Sequence, residues 1–478
     1  MSEQNSKFMK KMGICAVILA FLYTFTISHI DCNTITTWAY DLLESIRNGA
    51  LGDFPVYTYE THNMATNYPL FSNAVNALWL SPVYLIDVII GAGWSLIVYD
   101  VWYKVFILAL SVLSIILMGK VLRKIGFSEN KIYIGLFIMA TSSILLITVL
   151  GKGQIDIIDM FFVIVSIYCY LNDKIQISFL VIGIGCLFKP FIILLGVPYL
   201  LLLLKRCRGK SVINALLLVA PYLTDALLTK LLMPRYGEMK AITSKEFAER
   251  FEYTRIEQIF LLRINSVLVF FSVVLIICFI CLYIGIRGKE NNYRLILYPT
   301  LLFMSYTLFV ESTAVYWYSC VLPFFIIMGL QYERIEDFLF LNLGINSSII
   351  GFIIAAERIF IPGKNFTILD SLRRAKHPLE VFYDTEGIRT VVRFFATIYM
   401  VCMLLIIGIY IYERRHSIHI FNKKEKTDAS VKCDNQESDF NVINDELNDT
   451  NYSMWTKGLM ISQIVVQFAY LGFTYVIG

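Results

Sequence analysis

The chain has 478 residues, 57% of them hydrophobic and only 16% charged, with a mean hydropathy of +0.65. Soluble domains carry about 25% charged residues, and they lack repeated apolar stretches of the kind found here about a dozen times. A water-soluble globule is excluded. The net charge of +4 is small, and no basic stripe interleaved with aromatics runs through the chain, which excludes a nucleic-acid partner. What remains is an all-α polytopic membrane protein, with the 15% of aromatics that many bilayer interfaces call for.

The first apolar run, 13–30, follows Lys7, Lys10 and Lys11, so the positive-inside rule sets the N-terminus in the cytoplasm. The polar loop after it has no small-residue cleavage site, and the run reads as a retained anchor. Residues 31–69 form the first external loop. Within it Trp38, Leu42 and Ile46 fall four apart and predict an amphipathic helix over 35–48, stopped by Asn48-Gly49 and lying on the membrane surface. The stretch 70–92 is apolar but broken by Ser81-Pro82, and it carries Asp87; it is expected along the outer interface instead of across the bilayer.

The next span, 103–119, ends in the cytoplasmic signature Lys120, Arg123, Lys124 and Lys131. Spans 131–149 and 157–171 flank a short outer loop, 151–156. Two short apolar segments within 176–204 meet at Lys189-Pro190 and run into the basic cluster 205–210. Spans 211–232 and 264–286 enclose an external loop, 233–262. Further spans fall near 295–310, 315–330, 338–357 and 391–411, with an external loop at 358–390. The polar stretch 412–455 reads as a disordered cytoplasmic linker, and a last span, 457–476, carries the C-terminus outward. The expectation is about 13 spans. They group into a module over 1–232, a transmembrane region over 233–411, the linker, and a C-terminal helix over 456–478.

Ten cysteines are scattered singly, and the pair Cys278 and Cys281 sits inside an apolar span, where packing is the better reading than zinc. No Walker loop, GxGxxG, HExxH or GxSxG occurs in a supporting context. Chemistry must therefore come from polar residues set against the apolar background, because ionisable groups at membrane depth are costly. Asp31 stands where the chain leaves the first span. It can be a helix cap, or a base for a hydroxyl nucleophile. Asp156 and Asp159, three apart after Gly153-Gln154, share one helix face and could take a cation or a sugar hydroxyl; a capping role fits as well. Lys189 interrupts an apolar run, either snorkelling at a helix end or facing a cavity as a point charge for phosphate.

This ordered set resembles the GT-C class of integral-membrane glycosyltransferases, closest to bacterial GPI-mannosyltransferase-II-like and polyprenol-phosphate-mannose-dependent mannosyltransferases. The likeness runs over about residues 10–210 through Asp31, Trp38, Asn67-Tyr68-Pro69, Lys104, Gly153-Gln154-Ile155-Asp156 and Phe188-Lys189-Pro190. Ile30 replaces the usual glycine before the first-loop acid, and Leu70 replaces the second proline of the YPP motif. A late His-Glu-Arg-Tyr motif has no counterpart in 311–318.

The resemblance implies an inverting transfer of a mannose-like hexose from a polyprenyl-phosphate donor on the extracytoplasmic face. The acceptor would be a hydroxyl on a lipid-linked glycan, another glycan or a protein, and the membrane a bacterial plasma membrane. Asp31 becomes the general base. Lys189 serves the departing phosphate, Asp156 and Gln154 the sugar or a divalent cation, and Asp159, Trp38, Tyr68 and Lys104 bind substrate. Arg255, with Arg235 and Arg263, is a further phosphate candidate on proximity alone. Two other readings stand beside this one. A lipid-linked-oligosaccharide flippase or other transporter shares the apolar spans and the intramembrane lysine. A Wzy-like polysaccharide polymerase shares the outer-face sugar chemistry and places large external loops late in the chain.

Overall fold

The computed structural model describes residues 2–27, 29–62, 66, 68–235, 266–288, 292–309, 315–356, 386–414 and 452–477. Most of the expected external loops 233–262 and 358–390, and most of the linker, lie outside these described residues. Every described element is helical. The first half contains α1 (Glu3–Thr26), α2 (Ile30–Arg47), α3 (Phe54–His62), α4 (Leu70–Ile90), α5 (Leu96–Ile125) and α6 (Glu129–Thr141). A π-helical segment, Ile144–Gly151, leads to α7 (Asp156–Leu171), α8 (Ile175–Gly185), α9 (Ile193–Leu202) and α10 (Ser211–Leu232). After α11 (Ser266–Arg287) and α12 (Asn292–Phe309), a 3-10 turn, Val315–Cys320, precedes α13 (Leu322–Gly329). The last three are α14 (Ile335–Ala356), α15 (Glu386–Glu413) and α16 (Met454–Ile477).

Local chemistry sets the boundaries. The Ser2 hydroxyl caps α1 by accepting the Asn5 amide at 3.2 Å. The helix α5 carries Arg123 and Lys124 in its last turn and stops at Gly126, whose φ of 99° suits only glycine. The amphipathic helix expected over 35–48 starts five residues earlier, at Ile30, so Asp31 lies in its first turn and not in a loop before it. His29 supplies the cap that the sequence pattern did not reveal.

Hydrogen bonds sort the helix ends into two sets. At one end, Asn5 of α1 meets Asn130 of α6 and Tyr452 just before α16, and Arg206 reaches Asp173 after α7 at 2.7 Å. At the other end, α2 binds the start of α5 through Asn33, Thr36 and Asp100. There too, Arg235 beyond α10 pairs with Asp53 before α3 at 3.4 Å. Both ends of α4 belong to this second set: the Phe71 amide donates to Asp225 of α10 at 2.8 Å, and Tyr99 of α5 donates to Asp87 at 2.7 Å.

Seven helices (α1, α4, α5, α10, α11, α14 and α15) are long and apolar enough to cross a bilayer, or up to eight if α6 and the π segment, bent by 40°, act as one span. The sequence expectation of about 13 is higher because it also counts short elements and longer ones of lower apolarity, such as α12 and α16. Helices α8, α9 and α13 have 11, 10 and 8 residues. A multi-pass, all-helical membrane architecture is what the described residues display.

Close packing depends on glycine where helices cross. A Cβ on Gly183 of α8 would stand 2.5 Å from the Leu217 carbonyl oxygen and 2.7 Å from that of Leu218, both on α10. A Cβ on Gly13 of α1 would meet nothing within 4 Å. Gly183→Ala is therefore expected to destabilise by about 1–3 kcal/mol through overpacking, while Gly13→Ala leaves stability unchanged or raised. Melting curves of the two purified variants check this, and equal melting temperatures would refute the crossing.

Candidate functional site

The chain leaves α1 at Ile27, extends through His29 and re-enters helix at Ile30, which places Asp31 in the first turn of α2. Its side chain is 37% exposed. The His29 Nδ1 atom accepts the Asp31 amide at 3.2 Å and also lies 3.3 Å from Asp31 Oδ2. One ring nitrogen cannot serve both contacts in the same protonation state. Unprotonated, it caps the helix; protonated, it donates to the carboxylate. Gln154 donates its side-chain amide to the same Oδ2 atom. Burial pushes the Asp31 carboxyl up, but the His29 contact and the charges of Lys152 and Lys189 outweigh it, so the group ends below the ordinary aspartate range.

Gln154 is presented by a tight turn after the π segment. Gly153 adopts φ +65°, and a Cβ there would lie 2.7 Å from the Cys32 sulfur, so only glycine fits between this turn and α2. Two residues on, α7 begins with Asp156. Its carboxylate is fully buried and lies 3.5 Å from Lys189 Nζ, a looser spacing than a hydrogen bond. Asp159, one turn further, is also fully buried, and neither of its oxygens has a hydrogen-bond partner among the described residues. The two acids do share a face, as their spacing requires.

Lys189 sits at the break between α8 and α9, preceding the 3-10 turn Pro190–Ile192. Aromatic faces surround its ammonium: Tyr68 at 5.0 Å, Trp317 at 5.4 Å and Tyr316 at 5.5 Å from the ring centroids. Such contacts are worth up to about 2 kcal/mol each when desolvated. Trp38 of α2 packs edge-on against Tyr68 at 5.5 Å and so belongs to the outer shell of the same wall. Lys152, 2% exposed, lies 5.6 Å from the Tyr316 ring. The result is two lysines and three carboxylates held against four aromatic rings at one end of the bundle, a combination of charge and flat apolar faces suited to anionic and polyhydroxyl groups.

The structure thus gathers Asp31, Gln154, Asp156, Asp159, Lys189, Tyr68 and Trp38 around one region. Lys104 has a different setting. Its buried ammonium donates to the Ile27 carbonyl and, at 2.7 Å, to the Gly151 carbonyl, so it holds backbone together and is not turned towards the aromatic wall. Arg255 and Arg263 lie outside the described residues, as does Asn67. His29, Lys152, Tyr316 and Trp317 were not singled out from the sequence. Adjacency to Asp31 and to the Gly153 turn could have flagged the first two. The Tyr-Trp pair carried only the signal of aromatics after a polar stretch. No known protein family matches the chain, and neither does any curated protein.

The sign of the Asp31 shift gives a pH prediction. A carboxyl depressed in the folded state stabilises above its unfolded pKa, and that contribution disappears as pH falls through the folded value. Asp31→Asn is expected to melt lower than the parent at pH 6, with the gap closing only below about pH 3.8, the ordinary value. Thermal unfolding from pH 7 to pH 3 measures this. A gap that closes above pH 5 would show a raised, not lowered, carboxyl.

Proposed function

We propose that the protein is an integral-membrane glycosyltransferase of GT-C type, moving a mannose-like hexose from a polyprenyl-phosphate donor to an acceptor hydroxyl. The observation that carries this reading is the pairing of the ionised, Gln154-bound Asp31 with Lys189 in its aromatic enclosure at the same end of the bundle. The charge distribution supports an extracytoplasmic location for that end. Lys7, Lys10, Lys11, Lys120, Lys124, Lys205, Arg208 and Lys210 all belong to the opposite end, as a cytoplasmic face requires. In this reading α4 lies along the outer interface. Counting α7, α8, α9, α12, the Val315–Cys320 turn with α13, and α16 as crossings too gives about 13 passes, in a bacterial plasma membrane.

The chemistry follows from the leaving group. A phosphate departs as a weak base and needs little general acid, but it needs positive charge. The acceptor oxygen attacks the anomeric carbon from the face opposite the phosphate, the bond from that carbon to the phosphate oxygen breaks, and configuration inverts. Asp31 takes the proton from the attacking hydroxyl, and Lys189 stabilises the charge developing on the phosphate. Tyr68, Tyr316 and Trp317 offer flat faces to the sugar ring, and Gln154 fixes which Asp31 oxygen faces the acceptor. Among the described residues no group of three His, Cys, Asp or Glu side chains could hold a metal. A divalent cation at Asp156 and Asp159 would complete its shell with substrate oxygens.

Membranes containing each variant, supplied with a polyprenyl-phosphate hexose and an acceptor glycan, test the proposal. Asp31→Asn is expected to insert normally and to lower transfer by about 10³-fold. Lys189→Met should lower it by about 10²-fold. Undiminished turnover by Asp31→Asn removes that residue as the base.

A further inference from the structure

The helix α16, the last described element, carries a polar network into the apolar interior. Gln467, fully buried, donates to the Ser143 hydroxyl at 2.7 Å and to the Thr141 carbonyl at 3.1 Å. It also accepts the Tyr23 hydroxyl of α1 at 3.0 Å on its side chain and at 3.1 Å on its backbone carbonyl. One turn earlier, Gln463 donates to the Thr141 hydroxyl at 2.8 Å and accepts from Asn342 of α14 at 2.6 Å. These bonds meet the α6 break at Thr141–Ser143, where the change from α to π geometry frees backbone groups that lipid could not satisfy.

The two elements that Gln467 joins are the two that deliver the Asp31–Gln154 pair. Tyr23 lies one turn before Ile27, where α1 ends and the chain turns towards Asp31. Ser143 immediately precedes the π segment, which ends at Gly151, three residues before Gln154. Lys104 ties the far ends of the same two elements together through the Ile27 and Gly151 carbonyls. Between the ties α1 and the π segment are in contact: a Cβ on Gly151 would touch Tyr23 at 3.7 Å and Ile27 at 3.9 Å.

We propose that Gln467 of the C-terminal helix is a positioning residue for the Asp31–Gln154 pair, one of two cross-ties that lock α1 to the π segment. The role concerns the geometry of the pair, so it holds whatever reaction the pair performs. It also gives α16 a part in the site, because a helix separated from the site residues by most of the chain sets the register of the turn carrying Gln154.

Cys32 reports on that register without any substrate. Its sulfur is fully buried against Gly153, next to the partly exposed Asp31. The test uses the full-length purified protein and Gln467→Met, which keeps volume and apolarity while removing the side-chain bonds. Tyr23→Phe cuts only the α1 arm and serves if the first variant does not fold. Each is treated with a small water-soluble methanethiosulfonate, and labelling is read cysteine by cysteine by mass spectrometry, alongside the melting temperature.

The expected result is Cys32 labelling faster by at least about tenfold, the effect on a local opening of losing even one buried hydrogen bond. Cys186, Cys281 and Cys320 should stay protected. Cys32 as protected as in the parent overturns the proposal. So does simultaneous exposure of Cys186, Cys281 and Cys320, because that marks general loosening and not control of one turn.

Discussion

A single buried ammonium holds the candidate site in shape. Lys104 enters from α5 and donates to the carbonyls that end α1 and the π segment, positions that carry partial negative charge and have no partner within their own helices. An ammonium in an apolar bundle is expensive unless it is so engaged, and each carbonyl would be orphaned without it. The arrangement is mutual: the ammonium satisfies the carbonyls and they satisfy it. It also explains the glycine before Gln154, since the turn following Gly151 is squeezed between the Lys104 stem and Cys32. Asp31 and Gln154 come together because two helix ends share one lysine.

The aromatic side of the site is built from distant parts of the chain. Tyr68 arrives from the segment before α4, and Tyr316 and Trp317 from the 3-10 turn before α13. Trp317 is itself wedged against Phe191 at 4.5 Å and stacked on Tyr306 of α12 at 5.7 Å. The second half of the molecule therefore supplies the back wall for a lysine carried by the first half. Such a wall excludes water, which strengthens the field of the lysine on the groups around it.

Much of this was legible in the residues. Hydropathy and the Lys and Arg clusters located α10 at its full extent, the meeting of two short segments at Lys189-Pro190, and the last helix within a few residues of its ends. Helix periodicity placed Asp156 and Asp159 on one face. What the sequence could not convey was pairing across the bundle. Lys104 and Lys189 look alike as charges in apolar runs, and only packing distinguishes one bound to carbonyls from one enclosed by aromatic rings. Tyr316 and Trp317 are ordinary in a chain with 29 Tyr and 35 Phe. The π segment was hidden because its apolar run of isoleucine, leucine and valine fits an unbroken span equally well.

That segment also bears on how the chain tolerates changes in length. A π turn is an α-helix that has absorbed an extra residue, its backbone widened to keep the flanking turns in place. Each residue in an α-helix advances about 100° around the axis. Losing one residue between Ile144 and Gly151 would let the wide turns close to α winding while the flanking ones hold their place, whereas a deletion in the regular α6 would rotate everything beyond it by that angle. The irregular stretch is thus where this part of the chain can change length with least displacement of Gln154 from the carboxylate it contacts.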